Sequence, residues 1–153
     1  MPTFKEHYAD KSYILSDDAR AIISLKDKGA GKSAYEGNNK RKLHVTTYLV
    51  DGGIITDDSS KCDYALYTDE DILYFIELKG SDYSKALEQI TSTVRQLLIS
   101  PNIKPALVHA RIVLSKARTP ELRVTSETQL KSLLKGLGKG TLQKETQKMT
   151  EKL

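Results

Sequence analysis

Apolar and polar positions change period several times along this chain, and each change predicts an element. Residues 42–50 (KLHVTTYLV) alternate and are rich in β-branched side chains, which predicts a strand. A turn at Asp51, Gly52 and Gly53 follows, then a short strand at Ile54 and Ile55 and a polar turn over 57–60. Residues 62–67 and 72–79 are nearly unbroken apolar runs on either side of the polar stretch 68–71 (TDED), the pattern of two strands joined as a hairpin. After Gly80, Ser81 reads as a helix cap with Asp82 in the first turn. Tyr83, Ala86, Leu87, Ile90, Val94, Leu97 and Leu98 then form one apolar stripe, which ends at Pro101. Residues 105–114 (PALVHARIVL) predict a further strand, which a right-handed crossover would set parallel to strand 72–79.

The flanks carry weaker patterns. Ser16, Asp17 and Asp18 resemble a cap with acids in the first turn, and Ala19, Ile22, Ile23 and Lys26 continue at helical spacing to Gly29. Residues 29–41 are small, polar and basic, which predicts a loop or an irregular turn. Leu122, Val124, Leu130, Leu133 and Leu134 fit a helix with a short strand before it, and Gly136, Gly138 and Gly140 end that pattern. Residues 141–153 read as a polar, lysine-spaced tail, helical or disordered. No repeat is present. The expected fold class is α/β, with a mixed central sheet flanked by helices, in one domain over residues 1–138 and a basic tail over 139–153.

The candidate chemistry lies in the hairpin. Side chains alternate between the faces of a strand, so Glu77 and Lys79 share a face with Leu73 and Phe75, opposite Tyr74, Ile76 and Leu78. A hairpin folded about Glu70 sets Asp63 opposite Glu77, because both are equally far from Glu70 in sequence. Like charges in directly paired positions repel. A divalent cation between the two carboxylates, with Lys79 beside it, would offset that repulsion and offer an electrophile to a phosphate. A slip of one residue would move Asp63 to the other face.

Charge and composition narrow the field. The net charge is +4, concentrated in two segments: 26–42 has six basic residues against Asp27 and Glu36, and 116–152 has nine against four glutamates. That asymmetry is compatible with phosphate-binding surfaces. The sole cysteine, Cys62, excludes an intramolecular disulfide and a cysteine-based zinc cluster and suits a reducing compartment. His7, His44 and His109 are scattered and lack metal-ligand spacing. Neither a signal-like N-terminus nor an apolar run of membrane length is present, so the expected location is the cytoplasm, away from membranes.

Asp63, thirteen intervening residues, and then Glu77-Leu78-Lys79 on an apolar strand followed by a helix resembles the PD-(D/E)xK nuclease superfamily, over residues 42–114. Cys62 stands where that pattern has its proline. The resemblance implies a restriction-endonuclease-like αβββαβ core and a Mg²⁺-dependent endonuclease hydrolysing phosphodiester bonds, in DNA in preference to RNA, with a defence, restriction or repair role. It implies Asp63, Glu77 and Lys79 as catalytic residues. Asp63, Glu77 and the backbone carbonyl of Leu78 would hold Mg²⁺, with Mn²⁺ as a substitute, while Lys79 would orient or deprotonate the attacking water or stabilise the transition state. Gln89 would stand near the metal, as a glutamine does in some members, and Glu36 could supply the extra acid that some relatives bring from their N-terminal region. A homodimer or a larger nuclease assembly fits a two-strand cut. The alternative is a non-catalytic module of nuclease fold that binds nucleic acid or a protein partner.

Two further motifs are resolved by context. Asp51 before two glycines reads as a turn residue. Gly29-Ala30-Gly31-Lys32-Ser33 looks like the end of a phosphate-binding loop, but Lys26 occupies the place of its first glycine and the flanking elements are in the wrong order. Lys32, Lys40 and Arg41 remain candidates for contacting a nucleic-acid backbone.

Overall fold

The computed structural model describes residues 2–27, 29, 32–116 and 125–153. In chain order the elements are α1 (Phe4–His7), β1 (Ile14–Asp18), β2 (Ile22–Lys26), β3 (Ala34–Asn38), β4 (Val45–Leu49), β5 (Tyr64–Thr68), β6 (Ile72–Lys79), α2 (Tyr83–Val94), β7 (Leu107–Leu114), α3 (Thr125–Gly136), β8 (Leu142–Thr146) and β9 (Lys148–Lys152). Six strands form one sheet in the order β1-β4-β5-β6-β7-β8, and three form a second, β2-β3-β9. The large sheet is mixed: β1, β4, β5 and β6 are antiparallel neighbours, whereas β6, β7 and β8 run parallel.

Strand β6 is the centre of this arrangement. Leu73 and Phe75 pack toward the helices, in a core with Phe4, Tyr48, Leu87, Ile90, Val94 and Leu130. Tyr74, Ile76 and Leu78 pack toward the second sheet, against Ile23, Leu25, Tyr35 and Met149. A strand buried on both faces reads as a continuous apolar run, and 72–79 does. The class is therefore α/β with a mixed sheet, but helices cover only one face; a three-stranded sheet covers the other. Helix α2 carries the predicted stripe, capped one residue later than expected: Asp82, not Ser81, accepts the Lys85 N–H (3.0 Å). A wider π-helical turn, Arg95–Ile99, extends it to Ser100.

The flanking segments depart from expectation. Residues 16–27 form no helix: 16–18 belong to β1 and 22–26 to β2, and Asp18 accepts the Arg20 N–H (3.2 Å) in a turn between them. A carboxylate that caps a helix can as readily close a turn, and the buried Ile23 and Leu25 alternate with the exposed Ile22, Ser24 and Lys26 at period two. Residues 34–38, within the predicted loop, form β3. Ile54 and Ile55 form no strand; Ile55 makes a single bridge with Asp51. The tail of 139–153 is neither helical nor disordered. It supplies β8, parallel to β7, and β9, parallel to β3. A Cβ at Gly140 would lie 1.6 Å from the Val108 carbonyl, so only glycine lets the chain pass there into β8. The short strand expected before α3 falls at 117–124, outside the described residues.

One element went unread. Thr3 and Glu6 exchange backbone and side-chain hydrogen bonds in a capping box (3.2 and 2.9 Å) that opens α1 and seats the fully buried Phe4. Among the described residues no helix is long and apolar enough to cross a membrane.

Candidate functional site

Pairs Tyr64–Ile76, Ala65–Phe75, Leu66–Tyr74 and Tyr67–Leu73 define the β5–β6 register, which centres on Glu70. One step beyond the Tyr64–Ile76 pair, away from the turn, Asp63 faces Glu77. The two are tied reciprocally: the Asp63 N–H donates to Glu77 Oε1 (3.0 Å), and the Leu78 N–H donates to Asp63 Oδ2 (2.9 Å). Each carboxylate thus caps the other residue's stretch of backbone where the β5–β6 ladder ends. Lys79 follows, partly exposed, and its carbonyl accepts the Ser115 N–H (2.9 Å) from the end of β7.

Helix α2 holds the approach to Asp63. Gln89 donates to the Lys61 carbonyl (3.2 Å), Thr93 accepts the Cys62 N–H (2.8 Å), and Gln96 donates to the Ser60 carbonyl (3.2 Å). Three side chains on one helix face therefore fix residues 60–62 before β5 begins. Cys62 is fully buried, and burial pushes its thiol well above its ordinary range, so it serves as a core residue rather than a nucleophile. On the other side, the Val50 N–H bonds the Asp63 carbonyl (2.9 Å), which brings Asp51 next to the pair.

The electrostatics follow from this placement. Glu77 is 2 % exposed. Burial first, and then the charge of Asp63, push its pKa up to about 9, with a smaller push from Asp51 and partial relief from Lys79. Glu77 is therefore a neutral acid near pH 7 when no cation is near, because two like charges at a buried strand end cannot both be tolerated. Asp51, read from the sequence as a turn residue, is a turn residue that also adds to this field. The signal for it was the β4–β5 pairing, which continues past Leu49 to Val50 and Asp63.

The structure brings Asp63, Glu77, Leu78 and Lys79 together as the sequence spacing anticipated, and it sets Gln89 beside the segment that precedes Asp63. Gln89 Oε1 is buried with no hydrogen-bond partner, a polar atom that a ligand or water could satisfy. Glu36 is not brought there: it lies on the outer face of the second sheet and pairs with Lys148 (3.4 Å). Lys32, Lys40 and Arg41 do not form one surface either. Lys32 precedes Ser33, whose hydroxyl reaches the Lys79 carbonyl (3.5 Å), whereas Arg41 pairs with Glu70 at the hairpin turn, the far end of β6. Among the described residues no three Asp, Glu, His or Cys side chains converge as a metal-binding group. A cation at Asp63 and Glu77 would accordingly rest on two carboxylates and complete its shell with backbone oxygen, water and phosphate, a set that fits Mg²⁺, which keeps several waters. No family model, curated protein or solved structure matches the chain.

Proposed function

We propose that this protein is a metal-dependent nuclease of restriction-endonuclease-like fold that hydrolyses phosphodiester bonds, in DNA in preference to RNA. The observation that carries this reading is the face-to-face placement of Asp63 and Glu77 at a buried strand end with Lys79 two residues on. The meander β4-β5-β6, followed by α2 and the parallel β7, gives the βββαβ order of that core, which supports the reading.

Asp63 and Glu77 would hold the cation. The Leu78 N–H points to Asp63, and in an extended strand the carbonyl of the same residue points to the same side, which makes Leu78 the natural backbone ligand. When bound, Mg²⁺ or Mn²⁺ supplies Lewis acidity to the phosphate and lowers the pKa of a coordinated water. Glu77 must lose its proton to act as a ligand, so metal affinity rises with pH below about 9. Lys79, on the face shared with Glu77, would place its ammonium beside the attacked phosphate and stabilise the charge that develops there. Gln89 would orient the water or the segment bearing Asp63.

The test is incubation of the purified protein with supercoiled plasmid and with linear single- and double-stranded DNA in Mg²⁺ or Mn²⁺. Loss of cutting in Glu77→Ala and Lys79→Ala, with circular dichroism unchanged, is the expected result, and undiminished cutting by either variant overturns the assignment. A second reading has its own observation. Both carboxyl groups already bond backbone N–H groups, so the pair could be a structural clamp in a non-catalytic module that binds nucleic acid or a protein. That reading predicts no heat of Mg²⁺ or Mn²⁺ binding in calorimetry at pH 8.

A further inference from the structure

The second sheet ends beside the candidate site. Tyr64, next to Asp63, donates its hydroxyl to the Lys26 carbonyl (3.3 Å). Ser33, only 2 % exposed, reaches the Lys79 carbonyl, and the Gln147 N–H bonds the Leu114 carbonyl (2.6 Å). These three ties bring the C-terminal end of β2 and the N-terminal ends of β3 and β9 to the same end of the molecule as Asp63, Glu77 and Lys79.

At that end the register sets Lys26 beside Ala34 and Ala34 beside Lys148. Neighbouring strands are about 4.8 Å apart, so the backbones of Lys26 and Lys148 lie about 10 Å apart on one face. That face is the outer one: Lys26 and Lys148 are exposed, whereas Leu25, Tyr35 and Met149 fill the core on the inner side. Exposed Lys32 lies two residues before Ala34. Against these three ammonium groups stand Asp27, one of whose oxygens accepts the Gly29 N–H (2.9 Å), and Glu36, which pairs with Lys148.

We propose that Lys26, Lys32 and Lys148 form a rim that binds the sugar-phosphate backbone of nucleic acid and guides it to Asp63 and Glu77. This deepens the nuclease reading and rests on it for the identity of the occupant. Charge complementarity selects a polyanion, and the position of the rim at the same end of the molecule as Lys79, on the outer side of the second sheet, selects one long enough to reach across the strand ends to the acid pair. The three lysines are positioning residues: they carry no sequence information and act through the phosphates.

The experiment measures binding of the full chain to fluorescent duplex and single-stranded oligonucleotides by anisotropy, in EDTA, over a salt series. The variant is Lys26→Gln/Lys32→Gln/Lys148→Gln. The control, Lys40→Gln/Lys104→Gln/Lys152→Gln, removes equal charge at the opposite ends of the strands. Each lost phosphate contact flattens the slope of log K against log salt by about 0.9 for duplex or about 0.7 for single strands. The expected result is a slope flatter by about 2 to 3 in the rim variant and by less than about 1 in the control. Equal slopes in the two variants, or no salt-dependent binding by the wild type, overturn the proposal. Because EDTA removes the cutting reaction, a rim that binds in a protein that never cuts would discard the nuclease alone, and cutting with unchanged slopes would discard the rim alone.

Discussion

Two glutamates in the sheets of this protein, Glu77 buried and Glu151 partly buried, have opposite surroundings. Glu151, on β9, has a side chain 14 % exposed and lies against Arg111, itself 4 % exposed, which donates from Nε to both carboxylate oxygens (3.1 and 2.9 Å). Tyr35 adds its hydroxyl (2.6 Å), and Arg111 Nη1 donates to the Ala110 and Thr141 carbonyls and the Thr141 hydroxyl. Glu77, on β6, meets another acid. One glutamate is closed off by opposite charge, which fastens the C-terminal strand to the large sheet. The other is left with a repulsion that a proton or a cation must relieve. A charge closed on by its opposite serves structure, whereas a buried acid facing another acid is a candidate for a site.

Removing one partner of the closed pair should have the largest effect. Glu151→Ala leaves Arg111 buried without a carboxylate, and a cost of about 3–5 kcal/mol is expected in urea unfolding. The double variant Glu151→Met/Arg111→Met should recover most of that loss. A single-variant cost under about 1 kcal/mol would mean that water reaches Arg111 and that the pair is not sealed.

The open pair should respond with the opposite sign. The folded pKa of Glu77, about 9, lies above its unfolded value near 4.3, so the native state holds the extra proton between those pH values. Stability from this group is therefore greatest below about pH 4 and falls as pH rises toward 9. In EDTA, Glu77→Gln should stabilise the protein by about 3 kcal/mol at pH 7 and by almost nothing at pH 4. Urea midpoints at the two pH values check this, and equal differences at both would remove the electrostatic account. A smaller effect separates the site from the clamp. At ten times its dissociation constant, Mg²⁺ should stabilise the wild type by about 1.4 kcal/mol. The same Mg²⁺ concentration should do less for Glu77→Gln, and more for the wild type at pH 8 than at pH 6. Thermal melts with and without Mg²⁺ measure it, and an identical rise in wild type and variant would place the cation elsewhere.

Legibility differed between the two regions in the same way. Asp63 and Glu77 could be matched from the sequence because a tight hairpin fixes its own register: two apolar runs, a polar turn at 68–71 and a central Glu70 leave few alternatives. Helix α2 was legible because its stripe is long. The β2-β3-β9 sheet was not. Strand β9 buries Met149 and little else, β2 buries Ile23 and Leu25, and β3 contains Gly37. Segments of five residues with one or two core positions carry too weak a period to tell strand from helix or tail. Ser16 as a cap, with Asp17 and Asp18 as first-turn acids, suggested a false helix, because Asp18 instead accepts the Arg20 N–H in a turn and short polar side chains serve turns and helix starts alike.

By itself the sequence determined the hairpin and the helix that follows it, since both depend on contacts between residues close in the chain and on strong local periodicity. From these it determined that two acids face each other with a lysine beside them. Only the tertiary structure decided that Arg111 closes on Glu151, forty positions away, that Ser33 reaches Lys79, forty-six away, and that the chain's last residues complete both sheets. Such pairings join segments whose own preferences are nearly neutral. Their choice is made by which apolar faces remain to be covered once the large sheet has formed, and that is a property of the assembled core rather than of any stretch of chain.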